Sequence, residues 1–566
     1  MIGLTDTVSQ ATVPKNNWQT PRADGARLIE PELGAWLHWS AANRAELAAV
    51  NFDVQGRNLA ELSAAARSEL LNAAIAATST YRNVELPAGL SPATAAHAAF
   101  YLAGHQPELF HPGVWLKNGL ISRAATIESA RYARAELQQR ANHPLEPAVP
   151  RRTAVAINLT VDTDLVKPGA VRVPGGDAAR PRWSIVPLDD GHAQVPWEMR
   201  AIADHDLLRS WPQRMLEAAL PPAAAGCWRE VWPLVSERAR ATGNLGQALA
   251  QSRHQYESQF GWKTLELPMS RVQQLPAVRW FLLHLLANLP RFCEVYNAAI
   301  AGYRAAHEIT SRAHPAPLLE NSGEWIEAPF WLWDAANPHR RRVWALWRND
   351  ELTLTDRGGA ELRLPLSPDR PLDDALAAWN RAEAGGLRLR TKALVTTLVA
   401  RTLLCDLFVH GIGGAKYDEV TDRIIAAFTG LPAPRYAVAT GTLRWPRVAA
   451  PCEPRSSERI RGDLRATRFH PERFLNGSLD ATASAAIAAK RTWLTTAKTP
   501  ANAQSRHQAI VAANAALQPL VEPIRNELRN KLASCEQSQQ AESVLASREL
   551  AFVLHSEARL REFFTG

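Results

Sequence analysis

Long hydrophobic runs are missing from this chain. A membrane-spanning helix needs roughly 18 or more apolar residues. The best stretch, residues 393–409, is broken by Thr396, Thr397, Arg401 and Asp406. The first ten residues lack the basic start and apolar run of a signal peptide. Cysteine is scarce: Cys227, Cys293, Cys405, Cys452 and Cys535 are scattered and odd in number. That pattern argues against a secreted disulfide framework and a structural zinc site. Dense basic blocks are absent too. The 64 Lys and Arg against 56 Asp and Glu leave a net charge of +8. The expectation is a soluble, cytoplasmic protein with no membrane partner. Nucleic acid is not expected as a partner; a small anionic substrate such as a phosphate or carboxylate fits the mild positive charge.

What is present is ordinary globular composition. The 566 residues are 46% hydrophobic and 21% charged, enough to bury a large core without disulfide or metal. At ~150 residues per domain this length suggests roughly three or four units. Nineteen tryptophans are spread along the chain, as core or groove-wall residues.

Residues 1–35, with Pro14, Pro21 and Pro31, read as an irregular arm. Residues 58–81 read as a helix, because Leu59, Leu62, Ala66 and Leu70 recur at helical spacing. Apolar runs at 98–103 and 152–160, with a helix between, fit a βαβ crossover. Strand-like pieces follow at 170–173 and 183–188. Residues 195–313 are mostly helical, with a strand near 264–267. A small antiparallel strand set spans about 325–356, with turns at Asn337-Pro338 and Asn349-Asp350. Arg340-Arg341-Arg342 reads as a solvated hairpin end. Residues 389–404 read as a buried helix and 405–409 as a strand. A glycine-rich turn, an amphipathic helix over 417–428 and a strand over 436–443 follow. Residues 456–545 form a helical hairpin, with helices at 480–497 and 503–533, kinked or broken at Pro519 and Pro523. Residues 546–566 return to the core. The expected fold is thus α/β: a parallel sheet over residues 1–455 with helical insertions, and a C-terminal antiparallel helical hairpin.

Three constellations could carry chemistry. The first follows the predicted strand at 98–103: Gly104, His105, Gln106, His111, Gly113 and Lys117. Ligands bind at that end of strands in open α/β sheets. Gly104 permits close approach, Gly113 stands before a helix N-terminus, and the two histidines with Lys117 add donors. His111-Pro112-Gly113 matches three of the four positions of a His-x-Gly-His phosphate signature. Alternatively, these histidines cap helix ends. No Cys or carboxylate stands at ligand spacing from them, so no metal site is expected. The second constellation is Gly411, Gly413, Gly414 and Lys416, again between a strand and a helix. It is neither a Walker A loop nor a Gly-x-Gly-x-x-Gly turn. The third is Asp162 and Asp164 after the strand at 152–160. This pair suits a metal, a substrate amine or a ribose, and equally a cap.

The order of these pieces resembles the cysteine ligase family of bacillithiol biosynthesis. Its members carry Thr-Gly-Gln-Gln-x-Gly-Leu-Phe after the first strand of a Rossmann-like core. Here Gly104, Gln106, Leu109 and Phe110 match, while His105 and Glu108 depart. The family's next strand ends in Glu-Asp-His-Asp; Asp162 and Asp164 match, and Thr163 stands for the His. A later Tyr-x-Gly-Gly-Pro-Gly/Ala-Glu run is matched at Gly413 and Gly414, with no acid beside them.

The resemblance implies a Rossmann-like core, a nucleotide-sized pocket between the two glycine turns, and a homodimer through a C-terminal coiled coil. The expected activity is a ligase that condenses an amine-bearing small-molecule substrate with an amino acid or other carboxylate. A nucleotide, ATP or ADP with Mg²⁺, is the expected cofactor. His105 or His111 would shuttle a proton and Lys117 would neutralise a leaving group. The rival readings are a nucleotidyltransferase and a non-catalytic nucleotide- or metabolite-binding scaffold.

Overall fold

The computed structural model describes residues 18–142, 153–166, 169–177, 180–191, 194–445, 454–476 and 479–565. Residues 1–17 of the expected arm and Cys452 lie outside the described residues. The chain opens with strand β1 (Arg27–Glu30) and helices α1 (Leu33–Ala49) and α2 (Leu59–Ser79). Within the expected irregular arm, Arg27–Glu30 is thus a strand and Leu33 opens a helix. β2 (Ala99–His105), α3 (Pro112–Asn142) and β3 (Ala154–Thr160) form the first strand–helix–strand unit. A hairpin, β4 (Ala170–Asp177) and β5 (Arg180–Pro187), follows. Then come α4 (His205–Ala218), α5 (Trp228–Thr242), α6 (Leu245–Glu257), β6 (Thr264–Pro268) and the short α7 (Met269–Val272). Helices α8 (Pro276–Ala287) and α9 (Leu289–Ala306) complete the helical stretch.

The antiparallel set is larger than the sequence suggested. It comprises β7 (Asn321–Ser322), β8 (Trp325–Asp334), β9 (Asn337–Arg348), β10 (Glu351–Thr355) and β11 (Glu361–Pro365). After α10 (Asp373–Ala384), strand β12 (Leu387–Thr391) joins it beside β8. Asn349 and Asp350 both have positive φ, the geometry of a tight two-residue hairpin. The preceding hairpin turns at Ala335-Ala336, because Asp334 pairs with Asn337. Pro338 and the three arginines accordingly lie within β9 next to that turn; Arg341 and Arg342 are exposed, as at a solvated hairpin end, while Arg340 is partly buried. Residues expected as one buried helix divide into β12 and α11 (Ala393–Val399), which runs into a wider turn at Ala400–Leu404. Strand β13 (Leu407–His410), α12 (Ile412–Thr429) and β14 (Tyr436–Gly441) form the second strand–helix–strand unit.

The main sheet has the order β1-β14-β13-β2-β3-β6. Strands β14, β13, β2, β3 and β6 are parallel, and β1 pairs antiparallel at one edge. Starting from β2, the chain builds outward through β3 and β6. It then returns to the other side of β2 with β13 and β14. Alternate residues enter two cores, as the pleat requires. Phe100 and Leu102 join Ile157 and Leu265 on one face; Ala99, Tyr101 and Ala103 join Trp115 and Ala156 on the other. A sheet covered on both faces needs strands apolar throughout. Burying each large side chain stabilises the fold by about 1.5–3 kcal/mol.

Helices α13 (Pro454–Phe469), α14 (Ala481–Thr495) and α15 (Ala503–Leu545) follow, with α16 (Glu557–Thr565) after them. Arg525 of α15 reaches Thr467 of α13, and Arg506 reaches the Trp493 carbonyl of α14. Two helices therefore flank α15. α15 continues through Pro519 and Pro523 without a break, where a kink or a break was expected. Phe552 donates its N–H to the Phe110 carbonyl at 2.9 Å, so this returning segment packs beside the loop after β2. Among the described residues no helix is long and apolar enough to cross a membrane.

Candidate active site

The sheet order reverses between β2 and β13. In open α/β sheets a crevice forms at such a switch, outside the carboxyl ends of the strands. Both glycine-marked turns lie there. Val409 of β13 pairs with Ala103 of β2, so His410–Gly414 leaves the sheet beside Gly104–Gln106. Asp162 and Asp164 follow β3 on the other side of β2.

Gln106, Asp164 and Arg340 form one cluster. Gln106 Nε2 donates to Asp164 Oδ2 at 2.9 Å, and Arg340 donates to Asp164 Oδ1 at 2.8 Å. Arg340 also lies 4.4 Å from the Trp331 ring centroid, and Lys392 lies 4.8 Å from it. The antiparallel sheet thus places a guanidinium at the main sheet's carboxyl edge. Burial, then Asp164, raises the Tyr417 phenol above its usual range, which places Tyr417 of α12 in the same electrostatic neighbourhood.

Asp162 is buried and accepts the Ser270 N–H at 2.8 Å and the Ser270 hydroxyl. Burial, followed by the nearby Glu198 charge, raises its carboxyl to about 7. Glu198 is gripped by Arg390, which also pairs with Glu383. Two donors remain unused nearby in sequence. Thr160 Oγ1, at the end of β3, and Trp197 Nε1 are buried and have no hydrogen-bond partner among the described residues.

The remaining sequence candidates divide by role. His105 is half-buried, with its ring 5.1 Å from Phe110. Lys117 is buried and donates to the Gly104 carbonyl at 2.8 Å; burial lowers its pKa to about 8. Its ammonium therefore lies behind the turn. His111 accepts the Gly113 N–H at 3.1 Å, a helix-capping contact. Burial, then Arg548, lowers its pKa to about 3. It is neutral near pH 7, a poor proton shuttle there. A Cβ on Gly113 would lie 2.1 Å from the Gly441 carbonyl. This glycine lets α3 approach β14; it is committed to packing.

The second turn is more open. A Cβ on Gly411 would meet nothing within 4 Å, and one on Gly413 only the Tyr417 hydroxyl at 3.7 Å. Gly414 instead makes room for His410, whose Nδ1 would lie 2.8 Å from an added Cβ. His410 Nε2 lies 2.8 Å from Asp418. Burial pushes the Asp418 carboxyl up, but Arg401 and His410 together hold it well below its usual range. Lys416 is exposed and makes no ion pair among the described residues.

The open backbone of Gly411 and Gly413, at the N-terminus of an 18-residue helix, can accept an anion. Asp164, whose side chain is partly exposed, can accept an ammonium, and Asp162 can exchange a proton near neutrality. Among the described residues no group of three His, Cys, Asp or Glu side chains forms a metal site. Arg390, Glu198 and Ser270 were not singled out from sequence, Arg340 was read only as part of a solvated hairpin end, and Tyr417 only as the start of a helix. Only the position of Tyr417 directly after the glycine turn signalled its place. No family model and no curated protein matches the chain.

Proposed function

We propose that the protein is a Rossmann-like enzyme that joins an amine-bearing small molecule to an amino acid or another carboxylate. This is a reaction of the kind performed by the cysteine ligase family it resembles. The strand order supports a Rossmann-like reading, since β6-β3-β2-β13-β14 follows the 3-2-1-4-5 pattern of dinucleotide-binding sheets. The observation that carries the activity is Asp162: a buried carboxyl at the crevice edge, poised at about 7 beside a second carboxylate. Perturbed groups in clefts are acid–base candidates.

Asp164, held by Gln106 and Arg340, would receive the substrate ammonium. Asp162 would take the proton that the amine loses as it attacks a carboxyl carbon already activated by phosphoryl or nucleotidyl transfer, and the C–O bond to that phosphate group would break, the phosphate leaving with the former carboxylate oxygen. Gly411 and Gly413 would hold the phosphates of a nucleotide, ATP or ADP with Mg²⁺. The nucleotide, when bound, supplies carboxylate activation. Exposed Leu494, Val511 and Leu520 on α14 and α15 support a homodimer through the C-terminal helices.

A binding scaffold without turnover is the second reading, favoured by Thr163 and Lys416, where the chain departs from the family's motifs. The nucleotidyltransferase reading loses its support, because His111 and Gly113 serve capping and packing.

The test is a thermal-shift and turnover screen with nucleotides, Mg²⁺, amino acids and amino sugars. A nucleotide-dependent rise in melting temperature is expected. Condensation should fall at least about 100-fold in Asp162→Asn. Arg340→Ala should weaken amine-substrate binding about tenfold or more. It should change stability by only about 0–1 kcal/mol, because its pair with Asp164 is partly exposed. Wild-type turnover undiminished in both variants would refute the assignment. Binding without any turnover would leave the scaffold reading.

A further inference from the structure

The parallel sheet has a second end. At its amino edge, beside Ala154 of β3 and Thr264 of β6, lies a cavity of about 740 Å³. One wall is the loop following α2, residues 81–87. Another is a stripe on α3, Ser122, Thr126 and Ser129, spaced to share one helix face. The third is the turn from α6 into β6, which carries Trp262. A Cβ on Gly119 would lie 2.6 Å from the Trp262 ring. Only glycine there lets α3 press against the indole, which fixes it as a wall.

The charged groups of this cavity are already engaged. Arg82 donates to the His254 carbonyl at 2.8 Å and to the Trp262 carbonyl. Lys263 pairs with Glu85 at 3.1 Å. An incoming phosphate or carboxylate would have to displace these contacts. Of the neutral groups, Tyr81, Thr126 and Ser129 are hydrogen-bonded within the protein, while Gln255, Ser122, Asn83 and Gln259 keep capacity to bind. Gln255 Nε2 donates to the Tyr81 carbonyl at 2.7 Å, which fixes the amide's orientation. Its Oε1 is left buried with no donor among the described residues. Ser122 Oγ takes the Lys263 N–H at 2.8 Å. Its own hydrogen has no acceptor among the described residues. The side-chain amides of Asn83 and Gln259 make no hydrogen bond among those residues either.

We propose that this cavity is a second small-molecule site, separate from the carboxyl-edge crevice, for an uncharged, hydroxyl-rich ligand such as a free sugar or a nucleoside. A ligand hydroxyl donates to Gln255 Oε1, and a ligand oxygen accepts from Ser122. The apolar face of the ligand lies along Trp262. The volume falls within the range of small-molecule pockets.

Calorimetric titration of the full chain with free monosaccharides, disaccharides and nucleosides tests this, each beside its phosphorylated counterpart. The sugar and nucleoside arms separate the two sources. An uncharged compound should bind, and its phosphate should bind about tenfold or more weakly. Thr126→Trp, a filling change at an exposed lining position, should abolish the heat of binding. Gln255→Leu should weaken it about tenfold. Gln106→Ala, at the opposite edge, should leave it unchanged. Absence of binding by every uncharged compound at millimolar concentration would overturn the proposal. So would binding that survives both Thr126→Trp and Gln255→Leu, or binding that disappears with Gln106→Ala.

Discussion

Two buried aspartates at opposite ends of the same sheet behave in opposite ways. Asp406, just before β13, faces the amino edge. It pairs with Arg44 at 2.7 Å and Arg67 at 2.9 Å and accepts the Phe100 N–H at 2.8 Å. Burial pushes its carboxyl up, but the two guanidinium groups outweigh burial and hold it below its usual range. Asp162, at the carboxyl edge, accepts only neutral donors, from Ser270, and faces Glu198. There burial wins and the carboxyl rises to about 7. Equal burial thus produces a clasp at one end and a titratable group at the other. The deciding factor is the sign of the nearest charges.

Removing the clasp should have the largest effect on stability. Asp406→Asn leaves Arg67 buried without its counter-ion, at an expected cost of about 3–5 kcal/mol. Urea unfolding checks this; a loss below about 1 kcal/mol would erase the contrast between the two aspartates.

The Asp162 effect appears as a pH slope. Below about pH 4 this carboxyl is protonated in both the folded and the unfolded chain. Between about pH 4 and 7 the unfolded chain releases the proton and the fold retains it, so rising pH favours unfolding. From pH 5 to 8 the wild type should lose about 2–3 kcal/mol of stability relative to Asp162→Asn. Parallel unfolding curves at the two pH values measure it. A pH-independent difference between the two proteins would count against the raised carboxyl.

The smallest expected difference separates the two glycine turns. Gly113→Ala should destabilise by about 1–3 kcal/mol, because its Cβ meets the Gly441 backbone. Gly411→Ala should stay within about 1 kcal/mol, since nothing lies within 4 Å. Equal melting temperatures for the two variants would remove the distinction between a packing glycine and an open one.

The parallel strands were legible because their burial leaves a plain trace. Ala99–His105, Ala154–Thr160, Thr264–Pro268 and Tyr436–Gly441 are apolar runs of strand length beside turns, which sequence periodicity detects. The glycine turns were legible for the same reason. β1 was missed because it is a four-residue edge strand with polar ends. α1 was missed because its alanines and tryptophans are too evenly distributed to mark one face. β12 was missed because it is a five-residue strand with only two large apolar residues, Leu387 and Leu389, and no glycine or proline divides it from α11. The candidate site was legible only where its residues follow a strand. Arg340 meets Asp164 across 176 residues of sequence, and Ser270 meets Asp162 across 108. No local spacing encodes such pairs. Likewise, sequence showed Asp162 and Asp164 as a pair, but only Glu198 and Arg340 give them different environments.

The reversal between β2 and β13 also sets a schedule for the chain's birth. As residues leave the ribosome in order, β2 emerges some three hundred residues before its neighbour β13. For most of synthesis that flank of β2 has no β13 beside it. The loop following β2 waits longer still for Phe552, which braces it at Phe110. Closing such long loops is slow, and an unpaired strand flank is prone to aggregation. A nascent chain of this protein therefore carries its most vulnerable surface at the place where the crevice will form. It gains the means to bind there only when that surface is covered.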